Sequence, residues 1–199
     1  MSVIIAYRRG DTVYMGTDTQ IIDNDTKINE LCPSGHKIQR VESGILVGVC
    51  ADRTLRHKIF AYSEIFTTDK QGKLTKKHIV TKIVPKLMSI LDEEGFLDRH
   101  KGEDPPTAKA NVILAHGDRY FEICSNFMVI EYRDFQAIGQ ASYVIPLLSN
   151  VKETDDVNER IVEALTRLSK TVCAVGAPFL LIDTKEGKYK LVGGNDGTC

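Results

Sequence analysis

The sequence predicts an α+β domain built as a four-layer α-β-β-α sandwich, with two mainly antiparallel sheets stacked face to face and covered by helices. Two observations predict this fold class. Strand patterns occur in runs joined by tight polar turns, and helical patterns are inserted in pairs between those runs. No linker, internal repeat or low-complexity tract divides the 199 residues, so we expect a single domain over residues 1–199.

The first four strand patterns form two hairpins. Polar turns at Gly10 and at Gly44 separate the two members of each hairpin. The segment from Gln20 to Gly35 is polar and rich in Asp and Asn, and it is predicted to be a loop or an irregular edge. The four strands are predicted over Val3–Tyr7, Thr12–Asp18, Lys37–Val41 and Ile45–Cys50.

Two amphipathic helices come next, separated by the polar loop Asp69–Thr75 and ended by Gly95. Apolar residues at steps of three and four indicate the helical period. In the first helix these residues are Leu55, Ile59, Tyr62 and Phe66. In the second they are Val80, Ile83, Val84, Leu87, Met88 and Leu91.

The rest of the chain repeats this order of strands and then helices. A short helix is predicted after Ser142 and a longer one over Asp156–Ser169. Residues 192–199 read as a flexible tail by their composition. The strands are predicted over Asn111–Ala115, Tyr120–Cys124, Val129–Tyr132, Phe135–Ile138, Phe179–Ile182 and Tyr189–Val192.

Composition excludes several classes of function. The 26 Lys and Arg residues balance 27 Asp and Glu, so the chain offers no basic face for nucleic acid. No apolar run is long enough for a membrane span, and the N-terminal run is too short for a signal peptide. We therefore expect no membrane partner and a cytoplasmic location. The five cysteines are widely spaced, and no phosphate-binding or dinucleotide motif is present, so we expect reduced thiols, no cofactor and no metal.

The residue with the most distinctive chemistry is Ser2. It follows the initiator methionine, which is normally trimmed before so small a side chain. Trimming places a hydroxyl and a free α-amine on one residue. An α-amine has a pKa of about 7.7–8.0, so near neutrality it can accept the proton of a neighbouring hydroxyl.

Four motifs between Ser2 and Asp52 resemble the proteasome β-subunit family, including the HslV peptidase, within the N-terminal nucleophile (Ntn) hydrolases. The resemblance implies the Ntn-hydrolase fold, and the order of elements extends it over most of the chain. The motifs are Ser2-Val-Ile-Ile-Ala-Tyr-Arg-Arg-Gly, Met15-Gly-Thr-Asp-Thr-Gln, His36-Lys-Ile-Gln-Arg-Val and Gly44-Ile-Leu-Val-Gly-Val-Cys-Ala-Asp.

The resemblance also implies the roles of single residues. Ser2 stands where the family has its N-terminal nucleophile, usually a threonine. Asp18 and Lys37 fall on the aspartate and lysine that tune this nucleophile. Gly48 falls on the glycine whose N–H points into the oxyanion hole. Leu46 and Cys50 would line the pocket for the side chain before the scissile bond, which favours cleavage after hydrophobic residues.

The leading hypothesis is therefore a proteasome-like peptidase that acts on peptides or unfolded proteins. The family implies self-association into rings fed by a separate ATPase unfoldase ring. Two departures support an alternative, a catalytically inactive subunit of such a ring. Gln140 occupies the position of a supporting serine, for which Ser142 would substitute only in a shifted turn, and the segment Ser169–Gly176 lacks the family's aspartate. A third hypothesis is a related amidase acting on small molecules.

Overall fold

The computed structural model describes residues 2–23, 26–29, 31, 35–99, 105–139, 148–149 and 155–193. The first of its two large sheets has five strands, and every neighbouring pair is antiparallel. These strands are β1 (Val3–Arg9), β2 (Thr12–Asp18), β12 (Phe135–Gly139), β13 (Phe179–Asp183) and β14 (Lys190–Val192). Their order across the sheet is β12-β1-β2-β13-β14.

The second large sheet is also antiparallel and has the order β11-β10-β9-β6-β5. Its strands are β5 (Ile38–Arg40), β6 (Leu46–Cys50), β9 (Asn111–His116), β10 (Arg119–Ile123) and β11 (Val129–Tyr132). Two small hairpins lie outside both sheets. They are formed by β3 (Gln20–Asp23) with β4 (Thr26–Asn29), and by β7 (Leu97–Asp98) with β8 (Thr107–Ala108).

Helices cover the outer face of each large sheet. The helices against the second sheet are α1 (Arg53–Ala61), α2 (Lys76–His78) and α3 (Val84–Glu93), with a π-helical turn over Ile79–Ile83 between the last two. Helix α4 (Val157–Ser169) packs against the first sheet. No helix in the described ranges is long and apolar enough to span a membrane.

Apolar side chains fill three separate layers, which confirms the predicted four-layer sandwich. The layer between the second sheet and its helices includes Val47, Leu55, Ile83, Leu87 and Phe121. The layer between the two sheets includes Ile4, Met15, Leu46, Ile113 and Tyr120. The layer between the first sheet and α4 includes Val3, Ile5, Ile161, Leu165 and Leu181.

One predicted loop contains regular structure. Within Gln20–Gly35, strands β3 and β4 pair with Ile21 opposite Ile28. The two isoleucines supply a cross-strand apolar pair that the surrounding Asp and Asn residues obscured in the sequence. The loop prediction was therefore wrong for these strands.

The helical region also differs in detail from its prediction. Helix α1 ends at Ala61, and Ser63–Ile65 forms a 3₁₀ turn, so Phe66 is buried without being helical. Val80, predicted in the apolar stripe, is 46% exposed, while Ile79 is fully buried. A π-helical turn precedes Pro85, whose ring has no N–H and clashes with a carbonyl in a regular helix interior. The predicted helix after Ser142 lies outside the described residues.

The strand pairings bring several strand ends to one end of the sandwich. Val3 lies opposite Gly139, and Asp18 lies opposite Phe179 in the first sheet. Cys50 lies opposite Asn111 in the second sheet. The start of β1, the end of β2 and the end of β12 therefore meet at the edge that carries Ser2.

Candidate active site

Ser2 is held at the entrance of β1 and is only 6% exposed. The following residue is fixed on two sides, because the Val3 N–H donates to Asp18 Oδ1 at 3.4 Å and Thr17 Oγ1 donates to the Val3 carbonyl at 2.6 Å. Antiparallel pairing of Val3 with Gly139 adds a third restraint. The backbone of Ser2 therefore enters the sheet in a defined direction, and its neighbour contacts the carboxylate of Asp18.

Asp18 and Lys37 form a buried ion pair next to Ser2. The Lys37 Nζ atom lies 2.7 Å from Asp18 Oδ2 and also donates to the Gln20 carbonyl at 2.8 Å. Asp18 is fully buried and Lys37 is 2% exposed. The structure thus brings Asp18 and Lys37 together, and Lys37 is not a solvated strand end.

Burial shifts the pKa values of Asp18 and Lys37 in opposite directions. It raises the pKa of Asp18, although the charge of Lys37 and its hydrogen bond act the other way. It lowers the pKa of Lys37, although Asp18 acts the other way. The pKa of Lys37 is therefore lower than that of an exposed lysine, and the contact with Asp18 is the main interaction that favours its charged form.

Gly48 lies in the middle of a strand that is paired on both sides. The Val49 N–H donates at 2.9 Å to the carbonyl of Lys37, the residue before β5. Successive residues of an antiparallel strand direct their N–H groups to alternate sides, so the Gly48 N–H faces Ile113 in β9. The structure does not direct this N–H toward Ser2, and the oxyanion role of Gly48 stays a prediction.

The missing side chain of Gly48 has a clear packing reason. A Cβ atom there would lie 3.0 Å from Met15 Cε and 3.2 Å from Ile4 Cδ1, so glycine lets the two sheets approach closely. Leu46 belongs to the same layer and is fully buried. Its place as a pocket-lining residue therefore also stays a prediction.

Cys50 does lie beside Ser2, and Gly139 joins the two. Gly139 has a φ of +81°, and a Cβ atom there would overlap the Ser2 carbonyl oxygen and lie 2.9 Å from Cys50 Sγ. Burial raises the pKa of the Cys50 thiol to about 12, so it stays protonated near neutrality and does not compete as a nucleophile. The sequence shows Gly139 only as one more glycine after a strand, so its contact with Ser2 was missed.

Arg56 is a second residue that sequence reasoning missed. It is 2% exposed, on the inner side of α1 together with Leu55 and Ile59. Burial is the main cause that lowers the pKa of Lys37, and the positive charge of Arg56 adds to it. Residues four positions apart lie on the same face of a helix, so Arg56 shares a face with the apolar Phe60. This spacing was the signal in the sequence that could have identified Arg56 as buried.

Hydrogen bonds from neutral side chains connect the segment after α4 to the site. Gln20 Nε2 donates to the Cys173 carbonyl at 2.6 Å, and Thr19 Oγ1 donates to the Pro178 carbonyl at 2.8 Å. These bonds connect the start of β3 to the segment that lacks the family's aspartate. Gln140 and Ser142 lie outside the described residues.

An open cavity of about 420 Å³ lies near the same end of the second sheet. Asp52 and Lys109 line it. Asp52 lies two residues after Cys50, and Lys109 lies two residues before Asn111, the residue paired with Cys50. Leu55, Phe96 and Leu97 supply its apolar walls. Within the described part of the chain, no group of three or more His, Cys, Asp or Glu side chains could hold a metal ion.

Comparison with known proteins identifies the fold. Neither a protein-family model nor a curated protein matches the sequence. Among solved structures, the chain is similar to Thiobacillus denitrificans BPH in complex with epoxomicin, with a TM-score of 0.70, 15% identity and coverage of 91% of this chain and 97% of that chain. It is similar to the Anbu complex from Pseudomonas aeruginosa, a helical assembly, with a TM-score of 0.68, 11% identity and coverage of 98% and 88%.

It is also similar to HslV from Trypanosoma brucei, with a TM-score of 0.61, 14% identity and coverage of 91% of this chain and 98% of that chain. These similarities extend over nearly the whole chain in each case. The sequence-based recognition is thereby confirmed at the level of fold. The chain has the Ntn-hydrolase fold of the proteasome-related proteins HslV and Anbu.

Proposed function

We propose that this chain is a proteasome-like peptidase subunit in which Ser2, once the residue before it is removed, is the nucleophile. The observation that carries the proposal is the buried Asp18–Lys37 pair beside the start of β1. A buried ion pair is expensive to desolvate and is weak evidence for stability, so a catalytic use explains its presence better.

The reaction begins with attack of Ser2 Oγ on the carbonyl carbon of a peptide bond. The freed α-amine of Ser2 takes the hydroxyl proton and then gives it to the leaving amine as the C–N bond breaks. This produces an ester between the substrate acyl group and Ser2 Oγ. Water hydrolyses the ester with the same amine as base, which restores the hydroxyl and releases the acid.

Lys37 and Asp18 act on the nucleophile without forming bonds to the substrate. The charge of the Lys37 ammonium favours the ionised hydroxyl of Ser2, and Asp18 holds that ammonium in place. Cys50 forms the wall beside Ser2, where its neutral thiol leaves an apolar surface for a substrate side chain. The cavity lined by Asp52 and Lys109 gives an extended peptide room to continue past this wall.

We further propose that the subunit self-associates and takes peptides or unfolded proteins as substrates. A Pseudomonas aeruginosa relative in fold forms a helical assembly, which supports self-association. An assembly that encloses its active sites requires extended substrates, and delivery by an ATPase unfoldase ring would supply them.

A catalytically inactive subunit of the same kind of assembly is the second candidate. The direction of the Gly48 N–H favours it, because this amide faces β9 and not Ser2. The absence of an aspartate from Ser169–Gly176 favours it as well. Under this alternative the fold and the self-association remain, and only peptide cleavage is lost.

The test is covalent labelling of the purified protein with epoxomicin, the compound bound in the Thiobacillus denitrificans BPH structure. Intact mass spectrometry first establishes whether Met1 is removed. We expect a chain that starts at Ser2 and gains one equivalent of epoxomicin at that residue. Ser2→Ala and Lys37→Met should lose the adduct while keeping the far-UV spectrum of the folded protein.

Lys58→Met is the matched control for Lys37→Met. Lys58 is 43% exposed and pairs with Glu94 at 2.7 Å on the helical side of the sandwich. Its variant should label at the wild-type rate. A wild-type chain that keeps Met1 and gains no adduct in its assembled form would establish the inactive subunit instead.

A further inference from the structure

A buried carboxylate outside the residues considered so far ties the two sheets together. Glu122 on β10 is 5% exposed and faces the space between the sheets. Its Oε1 atom accepts a hydrogen bond from Asn111 Nδ2 at 2.9 Å. Its Oε2 atom accepts from Tyr132 Oη at 2.9 Å and from Gln136 Nε2 at 3.0 Å.

The donors to Glu122 come from both sheets. Asn111 and Tyr132 belong to β9 and β11 of the second sheet, whereas Gln136 belongs to β12, at the edge of the first. Gln136 Nε2 also donates to Tyr132 Oη at 2.9 Å, so the three side chains form a closed triangle of hydrogen bonds. A buried carboxylate is costly unless its oxygens are satisfied, so this network favours one spacing between the sheets.

Two of these strands reach the site: β12 ends beside Ser2, and β9 begins opposite Cys50. Asn111 is the register partner of Cys50, which lines the site. Gln136 lies three residues before Gly139, whose backbone packs against the Ser2 carbonyl and Cys50 Sγ. The Glu122 network therefore holds the two segments that meet around Ser2.

We propose that Glu122 is a positioning residue that holds the end of β12 against the second sheet, so that Gly139 packs on Ser2 and Cys50 with the spacing that catalysis needs. Its consequence for catalysis rests on the proposed function, whereas its effect on the packing around Cys50 does not. Glu122 acts through Gln136 and Asn111 and touches no reacting atom.

At the Ser2 end, the Asp18–Lys37 pair also joins the two sheets, from the end of β2 to the start of β5. Two further polar links between the sheets lie at the opposite end of β1. Arg8 pairs with Asp118 at 2.8 Å, and Thr184 Oγ1 donates to the Gly117 carbonyl at 2.6 Å. These links remain when Glu122 is replaced. Loss of Glu122 should therefore loosen the β12 edge at the Ser2 end, while the Asp18–Lys37 pair and the links at the far end stay in place.

Four variants separate positioning from a general loss of structure. Glu122→Ala removes the whole acceptor, and Gln136→Leu removes only the link to β12, which keeps the test valid if Glu122→Ala folds poorly. Glu122→Gln keeps the shape, and rotation of the Asn111 amide restores its hydrogen bonds. Glu131→Ala is the matched control, because Glu131 lies on the next strand and pairs with Arg119 at 2.8 Å, away from β12.

The first readout is the rate of iodoacetamide reaction at Cys50, followed by peptide mass analysis. The exposed Cys173 in the same sample is the internal reference. Cys50 is half-buried and Gly139 covers its thiol. Opening this contact exposes the thiol further, so Glu122→Ala and Gln136→Leu should raise the Cys50 rate about fivefold or more relative to Cys173. Glu122→Gln and Glu131→Ala should stay within about twofold of wild type.

The second readout is the concentration dependence of epoxomicin labelling. Misplacement of the nucleophile by about 1 Å lowers rates by about a hundredfold. Glu122→Ala and Gln136→Leu should therefore lower the maximal labelling rate about ten- to a hundredfold. The epoxomicin concentration that gives half this rate should change by less than about twofold, because ligand contacts are kept.

The outcomes distinguish this proposal from the proposed function. If folded Gln136→Leu keeps Cys50 as protected as in wild type, Glu122 is not a positioning residue. If Glu122→Gln behaves like Glu122→Ala, the charge matters and the network geometry does not, which also overturns the proposal. Absence of epoxomicin labelling in wild type rejects the proposed function, while the Cys50 measurement still tests the positioning.

Discussion

The Asp18–Lys37 pair shows how a single buried contact can be useful for chemistry and costly for stability. Both side chains are almost entirely removed from water, and Lys37 also donates to the Gln20 carbonyl. Replacing a whole buried ion pair is often neutral, whereas removing one partner leaves an uncompensated charge. The pair should therefore be dispensable for folding as a unit but not as single residues.

Lys37→Met should lower the free energy of unfolding by about 3–5 kcal/mol, because Asp18 is left buried without a counter-charge. The double variant Asp18→Asn, Lys37→Met should recover most of this loss, since neither site then carries a charge. Urea unfolding at pH 7 measures both values. The Asp18→Asn single variant completes the comparison. A double variant whose loss of unfolding free energy equals the sum of the two single-variant losses would show that the two side chains do not interact.

Arg56 should affect the pH dependence of the site. Burial is the largest cause of the lowered pKa of Lys37, and the charge of Arg56 lowers it further, so removing that charge raises this pKa. If catalysis needs the Lys37 ammonium, the alkaline fall in epoxomicin labelling should move to higher pH in Arg56→Met. Labelling rates measured from pH 7 upward on the folded variant test this. A shift to lower pH would contradict the placement of Arg56 near Lys37.

At the level of elements, the start of α1 connects the helical layer to the site. Asp52 caps this helix by accepting the Leu55 N–H at 3.0 Å, two residues after Cys50. The helix then carries Arg56 on its buried side. The N-terminal cap therefore fixes the start of the helix that carries Arg56, close to the end of β6.

Asp52→Ala should lower the free energy of unfolding by about 1 kcal/mol, as expected for loss of an N-cap, and should also slow epoxomicin labelling. Thr75→Ala is the matched control, because Thr75 caps α2 by accepting the His78 N–H at 3.3 Å. It should cost a similar free energy and leave labelling unchanged. Thermal unfolding measures the loss of stability in both variants, and epoxomicin labelling measures the effect on the site. Equal labelling in the two variants would contradict a link between the α1 cap and Ser2.

Across the whole molecule, the parts predictable from sequence were those with local periodicity. Alternation in Thr12–Asp18 and the helical period in Asp156–Ser169 predicted β2 and α4, and these elements with their neighbours led to the four-layer sandwich. The pairing of Asp18 with Lys37 followed from the resemblance to a family. It could not follow from periodicity, because Asp18 ends a strand of the first sheet and Lys37 precedes a strand of the second.

The parts that could not be predicted depend on contacts between distant elements. The direction of the Gly48 N–H is set by which residue of β6 bonds to Lys37, just before β5, and a shift by one residue would reverse it. The contact of Gly139 with Ser2 depends on the register between β1 and β12, and the Glu122 network depends on how the sheets stack. Neither register nor stacking is encoded in a local pattern.

The β3–β4 hairpin is the element of the described structure for which self-association has the clearest consequence. A two-stranded hairpin alone is only marginally stable in water, and this one lies outside both sheets with Ile28 45% exposed. At its base, Gln20 bonds to Lys37 through its carbonyl and to Cys173 through its side chain. A second copy of the chain packed over Ile28 would stabilise the hairpin and, through Gln20, the position of Lys37.

In the self-association proposed above, Ile28→Lys should shift the equilibrium toward single chains and slow epoxomicin labelling as well, because the support for Lys37 weakens. Sedimentation velocity at several protein concentrations measures the assembly, and labelling measures the site. Met128→Lys is the matched control, since Met128 is 52% exposed on the turn between β10 and β11 and has no connection to Gln20. Unchanged assembly in Ile28→Lys would place the subunit interface elsewhere, and labelling that stays normal in separated chains would show that Lys37 needs no support from a neighbouring copy.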